Sequence, residues 1–396
     1  MDKRTLLVKE VDLYDVINGK KIPSMNVFVK EGIFDRITET EITDIPDGVD
    51  IIDGSGLTMI PGLIDAHVHI AMSPEESVAV MMRKSPAAIA FDAVNHLKSL
   101  IENGITCVRS MGDPYGIDIA AAKAIEKGKI IGPEIVPSGM LICMTGGHGW
   151  QFGFEADGCD EVRRAVRNNI KSGAKNIKLV ATGGVLTPNV KSESIQLSYE
   201  ELLAGVEEAK HAGLSTASHA QGRMGIYNAV RAGVSSIEHG FELDDEITSM
   251  MLEKGTYYVP TIAALRGILE NGDKVDPWVI EKTIRANDNH RRSVQLAIKK
   301  GVKIALGTDA GTPSNAFGAS ARNEYVDLIR YGMEPIEALR AGTINAARLL
   351  GREKDRGSIE PGKIADFLLF DTDPVEVPDA MTGAMMVYKA GSFVSA

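Results

Sequence analysis

Two histidines one residue apart, His67 and His69, end the run Ile60-Pro61-Gly62-Leu63-Ile64-Asp65-Ala66. On a β-strand, residues i and i+2 point to the same side, so the two imidazoles project together. Neutral imidazole is the commonest metal ligand. The pair alone is weak evidence, because two surface histidines can fall at that spacing by chance. Three further residues strengthen it. His219 closes Leu214-Ser215-Thr216-Ala217-Ser218, His239 closes Ser236-Ile237-Glu238, and Asp309 closes Ile304-Ala305-Leu306-Gly307-Thr308. Four of eight histidines thus fall, with a carboxylate, at the ends of strand-like runs. Any one of them is ordinarily a satisfied core histidine. The group reads as a ligand set for divalent cations.

Lys178 lies inside Asn176-Ile177-Lys178-Leu179-Val180-Ala181. A parallel strand covered on both faces should be apolar. A bare ammonium is costly to bury unpaired. With an ordinary pKa near ~10.4 it would be protonated and unable to bind metal. Reaction with carbon dioxide would turn it into an anionic carbamate, with two oxygens able to bridge two cations. The alternatives are a lysine salt-bridged inside the barrel, or a strand register that faces it outward.

These residues need a scaffold that brings strand ends together. The middle of the chain repeats strand then helix, the signature of parallel βα units. Candidate strands are 62–70, 105–110, 134–138, 176–181, 214–219, 236–239, 257–261 and 302–308. Helical stretches fall at 75–103, 160–172, 199–212 and 276–300, the third opening on the capping-box pattern Ser198-x-x-Glu201. Eight such units predict an α/β fold, a (β/α)8 TIM barrel, with its site at the carboxyl ends of the strands. The two ends of the chain read differently. Short strands at 6–8, 24–30, 34–38, 366–370 and 385–389 are separated by turns such as Asn18-Gly19, Glu31-Gly32 and Glu360-Pro361-Gly362-Lys363. Neither end builds a core alone. The expectation is a composite β-sandwich of residues 1–57 and 358–396, and a barrel of residues 58–357.

Composition sets bounds. The 396 residues carry 44% hydrophobic and 5% aromatic side chains, a globular balance. A net charge of −11 gives no basic face for nucleic acid. The start, Met1-Asp2-Lys3-Arg4-Thr5-Leu6-Leu7-Val8, is too short in apolar residues for a signal peptide. No window approaches the ~18 apolar residues of a membrane span. Cys107, Cys143 and Cys159 are sparse, odd in number and free of C-x-x-C, which reads as free thiols in a reducing cytoplasm. A homo-oligomer acting on a small molecule is expected.

Together, His67, His69, Lys178, His219, His239 and Asp309 resemble the binuclear subtype of the amidohydrolase superfamily. The resemblance extends through Ile237-Glu238-His239-Gly240, Gly307-Thr308-Asp309, the run 343–351 and the run 357–366. It implies two divalent ions, with zinc favoured. The first two histidines and Asp309 would hold one ion and the later two histidines the other. Carboxylated Lys178 and a hydroxide would bridge them. Asp309 would take a proton from the attacking hydroxide and pass it to the leaving nitrogen of an amide. Within the superfamily the chain looks most like prolidase-like and carboxypeptidase-like dipeptidases, relatives of imidazolonepropionase. The residues that carry this are Gly146-Gly147-His148-Gly149, Ala181-Thr182-Gly183-Gly184 and Tyr258-Val259-Pro260-Thr261.

That likeness implies a dipeptide or N-acyl amino acid substrate, with His148 as a catalytic contact to its free carboxylate. Gln221 stands where Xaa-Pro-cleaving relatives often carry an aromatic residue, which puts proline specificity in doubt. Its amide can still donate to a carbonyl oxygen. Arg223 is a second candidate for the carboxylate, or else starts the next helix and faces solvent. Arg109 reads as a structural ion pair. Trp150 and Phe152 either wall the pocket or anchor their own loop. Three rival readings stand beside the dipeptidase. One is a hydrolase of a cyclic or xenobiotic amide. Another is a mononuclear imidazolonepropionase- or deaminase-like enzyme, which would not need Lys178. The last is a non-catalytic scaffold, which the filled ligand positions oppose.

Overall fold

The computed structural model describes residues 4–272 and 275–396; residues 1–3 and 273–274 lie outside it. Seven parallel strands follow the sequence expectation closely: Leu63–Val68, Ile105–Ser110, Glu134–Val136, Asn176–Val180, Ser215–Ala220, Ser236–His239 and Tyr257–Val259. The first three pair in order, and so do the last four. Between the groups, the Pro137 carbonyl accepts from the amides of Lys175 (2.7 Å) and Asn176 (3.2 Å).

The eighth element differs from expectation. Residues 302–308 form no regular strand, and the segment joins its neighbours by single bridges at Ile304 and, just beyond the range, Ala310. The barrel still closes through them. Tyr258 N donates to Lys303 O (2.8 Å), and Ala66 N donates to Leu306 O (2.8 Å). A side chain interrupts the ladder: buried Asp65 accepts from Thr308 N (3.1 Å) and Thr308 Oγ1 (2.7 Å). Gly307 lets the segment approach closely, since a Cβ there would sit 2.4 Å from Val259 Cγ1.

Helices return the chain between strands. Tyr199–His211 starts on the expected capping box, with Ser198 Oγ accepting from Glu201 N and Glu201 Oε2 accepting from Ser198 N. The expected stretch 75–103 divides into a loop, a short helix Val78–Met81, and Pro86–Glu102, because Ser85 caps a new start with Pro86 in its first turn.

The two ends of the chain meet in one eight-stranded sheet. Its core draws Val8, Leu13, Val27 and Phe34 from the first end and Phe367, Leu369 and Tyr388 from the second. Thr58–Pro61 pairs inside this sheet, with Leu6–Asp15 and Phe367–Phe370. The chain therefore crosses into the barrel at Gly62, a few residues beyond the break at 57. Thr58–Pro61 and the first barrel strand form one apolar run, so composition does not mark the crossing. The three cysteines are free, two of them buried, and among the described residues no helix is long and apolar enough to cross a membrane.

Candidate active site

The first barrel strand delivers His67 and His69 as its two-residue period requires. His67 Nε2 lies 3.2 Å and His69 Nε2 lies 3.3 Å from Asp309 Oδ1. Lys178 is only 2% exposed and places its Nζ 3.5 Å from His67 Nε2. The His239 ring is 5.2 Å from that of His67 and 4.5 Å from that of His219. Six residues chosen from the sequence thus converge at one barrel mouth.

Two of them need unusual backbone. Neighbouring strand residues alternate sides, yet Glu238 and His239 both face His67. The left-handed backbone of His239 (φ 71°) breaks the alternation. Tyr258 locks this turn by donating its hydroxyl proton to His239 O (2.8 Å) and Gly240 O (3.2 Å). Asp309 is also left-handed (φ 62°). Strain of this kind persists where surrounding contacts over-determine it.

The donor set fits divalent metal. Each of the four histidines spends one ring N–H on a fixed acceptor. His67 Nδ1 donates to Glu238 Oε2 (2.7 Å), His69 Nδ1 to Gly112 O (2.7 Å), and His239 Nδ1 to Thr261 Oγ1 (2.8 Å). His219 uses the other nitrogen, Nε2, toward Gly183 O (2.9 Å). Each therefore keeps one lone pair for a cation, in a tautomer set by its partner. Ligand atoms of His67, His239 and Asp309 all lie within 4.8 Å of one another.

The electrostatics agree. Burial holds His219 and His239 well below the ordinary imidazole value, at His239 against the pull of Asp309, so both are neutral. Burial opposes ionisation of Asp309, but His67 and His69 outweigh it and keep the carboxylate charged. Burial lowers Lys178 to about 8, against the pull of Glu238 and Asp309, so its free-amine fraction near neutral pH is far larger than that of an ordinary lysine, although the ammonium still predominates.

Beneath the candidate ligands lies a buried network of which the sequence pointed only to Arg109. Arg109 donates to Glu238 Oε1 (3.0 Å), Ser236 Oγ (3.0 Å) and Ala66 O (2.7 Å). Arg109 is thus the structural ion pair expected, and Glu238 passes its effect on to His67. Although burial works against it, Arg109 and His67 hold Glu238 far below the usual carboxylate range. The signal was available: Glu238 is a carboxylate directly before His239 in an expected barrel strand, where a charge must find a buried partner. The partners Gly112 O and Gly183 O are backbone atoms and leave no such trace.

Above the ligands opens a cavity of about 700 Å³. His148 lines it, stacked on His219 at 4.2 Å, with Nδ1 2.6 Å from Thr187 Oγ1. Burial lowers His148 to about 4, so it is a neutral imidazole. Gln221 also lines the cavity, and its buried Oε1 has no partner. Trp150 and Phe152 form part of the wall. Arg223 does not reach it. Arg223 starts the helix Arg223–Ala232 and pairs with Asp244 and Glu246 (2.6 Å each), so its guanidinium is committed at the surface. The expectation of a substrate contact at Arg223 is corrected accordingly.

Residues 58–393 match the Amidohydrolase family, and the chain belongs to that family. It is 33% identical over 347 residues to the ochratoxinase of Aspergillus niger, spanning 80% of this chain and 71% of that enzyme. A Xaa-Pro dipeptidase with methionine bound in its active site superposes with a TM-score of 0.91 at 32% identity, covering 98% of this chain and 99% of that one. A prolidase complexed with N-methylphosphonate-L-proline gives a TM-score of 0.91 at 28% identity, over 98% and 99% of the two chains. Fold, family and relatives together define a hydrolase with prolidase-like kin.

Proposed function

We propose that the chain is a binuclear metal-dependent hydrolase of C–N bonds, acting on a dipeptide or an N-acyl amino acid. The observation that carries this reading is the convergence of four oriented histidines, Asp309 and buried Lys178 beneath one cavity. His67, His69 and Asp309 would hold one ion, His219 and His239 the other, and Lys178 as a carbamate would serve both. The Nζ amine bonds to carbon dioxide and releases a proton, a step open to the neutral fraction of Lys178 that burial enlarges. Bound there, two divalent ions would lower the pKa of water toward neutrality and polarise the scissile carbonyl.

The chain's own groups supply the rest. Asp309, ionised and beside His67 and His69, takes the proton of the attacking water and returns it to the leaving nitrogen. His148, with Thr187 donating to its Nδ1, keeps a proton on Nε2 to offer a substrate carboxylate. The unpartnered Gln221 Oε1 is an acceptor for a substrate N–H.

One observation favours a second reading within the same chemistry. No arginine lines the cavity among the described residues, and much of its wall is apolar. A neutral or xenobiotic amide would suit such a wall. Two measurements test both readings. Metal analysis of the purified protein should give close to two divalent ions per chain, and Lys178→Ala should lower both metal content and turnover; full activity with one ion would overturn the binuclear reading. An N-acyl amino acid should be cleaved about tenfold or more better than its carboxamide, since a hydrogen bond to a charged group is worth ~1.5–3 kcal/mol. Equal rates would move the substrate class to neutral amides.

A further inference from the structure

The chain has only two tryptophans, Trp150 and Trp278, and both line the same cavity. They come from distant segments. Trp150 follows the Gly146-Gly147-His148-Gly149 loop, and Trp278 lies in the first turn of the helix Pro277–Lys300. Trp150 is 47% exposed. An indole left that open forgoes stabilisation that burial would bring, a cost that a binding surface offsets.

Trp150 is anchored through its backbone and Trp278 through its ring. Trp150 N donates to Gly147 O (3.2 Å), and its carbonyl accepts from Gly153 N (3.4 Å). Trp278 Nε1 donates to Asp276 Oδ2 (3.2 Å), and the Lys282 ammonium lies 5.0 Å from the ring centroid. Leu186 and Val279 add aliphatic wall. Phe152 carries the aromatic lining inward, its ring 5.9 Å from that of His69 in an edge-on contact. Apolar contact therefore continues from the outer cavity to the ligand cluster.

We propose that Trp150 and Trp278 form a clamp for a flat apolar group of the substrate, and that they set specificity for amides carrying an aromatic ring beside the scissile bond. This rests on the amide-hydrolase reading above. Aromatic faces reward a flat ring beyond the area it buries, and a cavity of about 700 Å³ lies in the size range of sites for drug-sized ligands.

Fluorescence and kinetics test the clamp separately. Trp150→Phe and Trp278→Phe each leave a single indole as the reporter. N-(4-nitrobenzyl)glycine, a dark quencher with no amide to hydrolyse, is titrated into each metal-loaded variant, with N-methylglycine as the ringless control. Saturable quenching in both variants at similar concentrations, and none with the control, is expected. Quenching in only one variant, or in neither, would overturn the clamp. In the kinetic arm, N-(4-nitrobenzoyl)glycine and N-acetyl-4-nitrophenylalanine place the ring on either side of the amide. At least one should exceed N-acetylglycine in kcat/KM, and Trp150→Ala and Trp278→Ala should each reduce that ratio by about two- to tenfold. A ratio of one in the wild type, or one that neither variant moves, would also count against the clamp. If none of the three amides is hydrolysed, the amide reading fails, while the quenching result still decides whether the clamp exists.

Discussion

At the scale of single residues, the site depends on how burial and neighbouring charge divide the control of protonation. Lys178 is driven toward the free amine by burial, and Asp309 is kept ionised despite burial by two imidazoles. Replacing Asp309 by Asn keeps an oxygen within reach of the ligand cluster but removes the proton carrier. Turnover of Asp309→Asn should fall by at least ~10²-fold, with metal content falling far less. Paired assays of turnover and bound metal check this, and near-normal turnover would mean that another group moves the proton. The residues proposed to hold cations were legible because each broke a local rule: imidazoles at strand ends, an amine in an apolar strand. Arg223 misled because sequence shows proximity to His219 but not direction. Two carboxylates more than twenty positions downstream in the chain, Asp244 and Glu246, had already claimed it.

At the scale of elements, strand period and capping chemistry made seven of the eight barrel strands and the helix Tyr199–His211 readable. The eighth was not, since a side chain from the first strand, Asp65, takes hydrogen bonds that a ladder would otherwise make. The cavity wall depends on a contact of the same hidden kind. Lys282, on the helix Pro277–Lys300, donates to Thr187 O and Val190 O (2.6 Å each) while its ammonium rests near Trp278. It thereby ties the segment that carries Leu186 and Thr187 to the wall that carries Trp278, and Thr187 in turn meets His148. Lys282→Met keeps the aliphatic stem and removes the ammonium. Amide hydrogen exchange across residues 183–191 should quicken and KM should rise severalfold, with bound metal unchanged. Unaltered exchange in that segment would show that the wall is held by packing alone.

At the scale of the whole molecule, sheet and barrel are joined at the end of the barrel away from the site. Glu134 opens the third barrel strand, and its carboxylate pairs with Arg352 and Arg356. Arg356, 5% exposed, also pairs with Asp366 (2.5 Å) just before the strand Phe367–Phe370 of the terminal sheet. Lys389 from that sheet donates to Thr106 O (2.8 Å) in the second barrel strand. Strand Thr58–Pro61 runs from the same sheet through Gly62 into the first barrel strand, so the two layers share backbone as well as charge. Such a junction predicts one cooperative unfolding transition rather than two. Arg356→Ala would strand the buried Asp366 carboxylate without its guanidinium, and removing one partner of a buried pair costs about 3–5 kcal/mol. Urea unfolding followed by both far-ultraviolet circular dichroism and tryptophan fluorescence reads this directly, because both tryptophans sit in the barrel and the sheet reports only in the dichroism. The expected result is a lower midpoint at which both signals still change together, and unchanged turnover per folded molecule, since the candidate metal cluster lies at the opposite ends of the strands. A loss below about 1 kcal/mol, the scale of an exposed ion pair, or a dichroism change that precedes the fluorescence change, would mean that sheet and barrel hold together by other contacts or come apart independently.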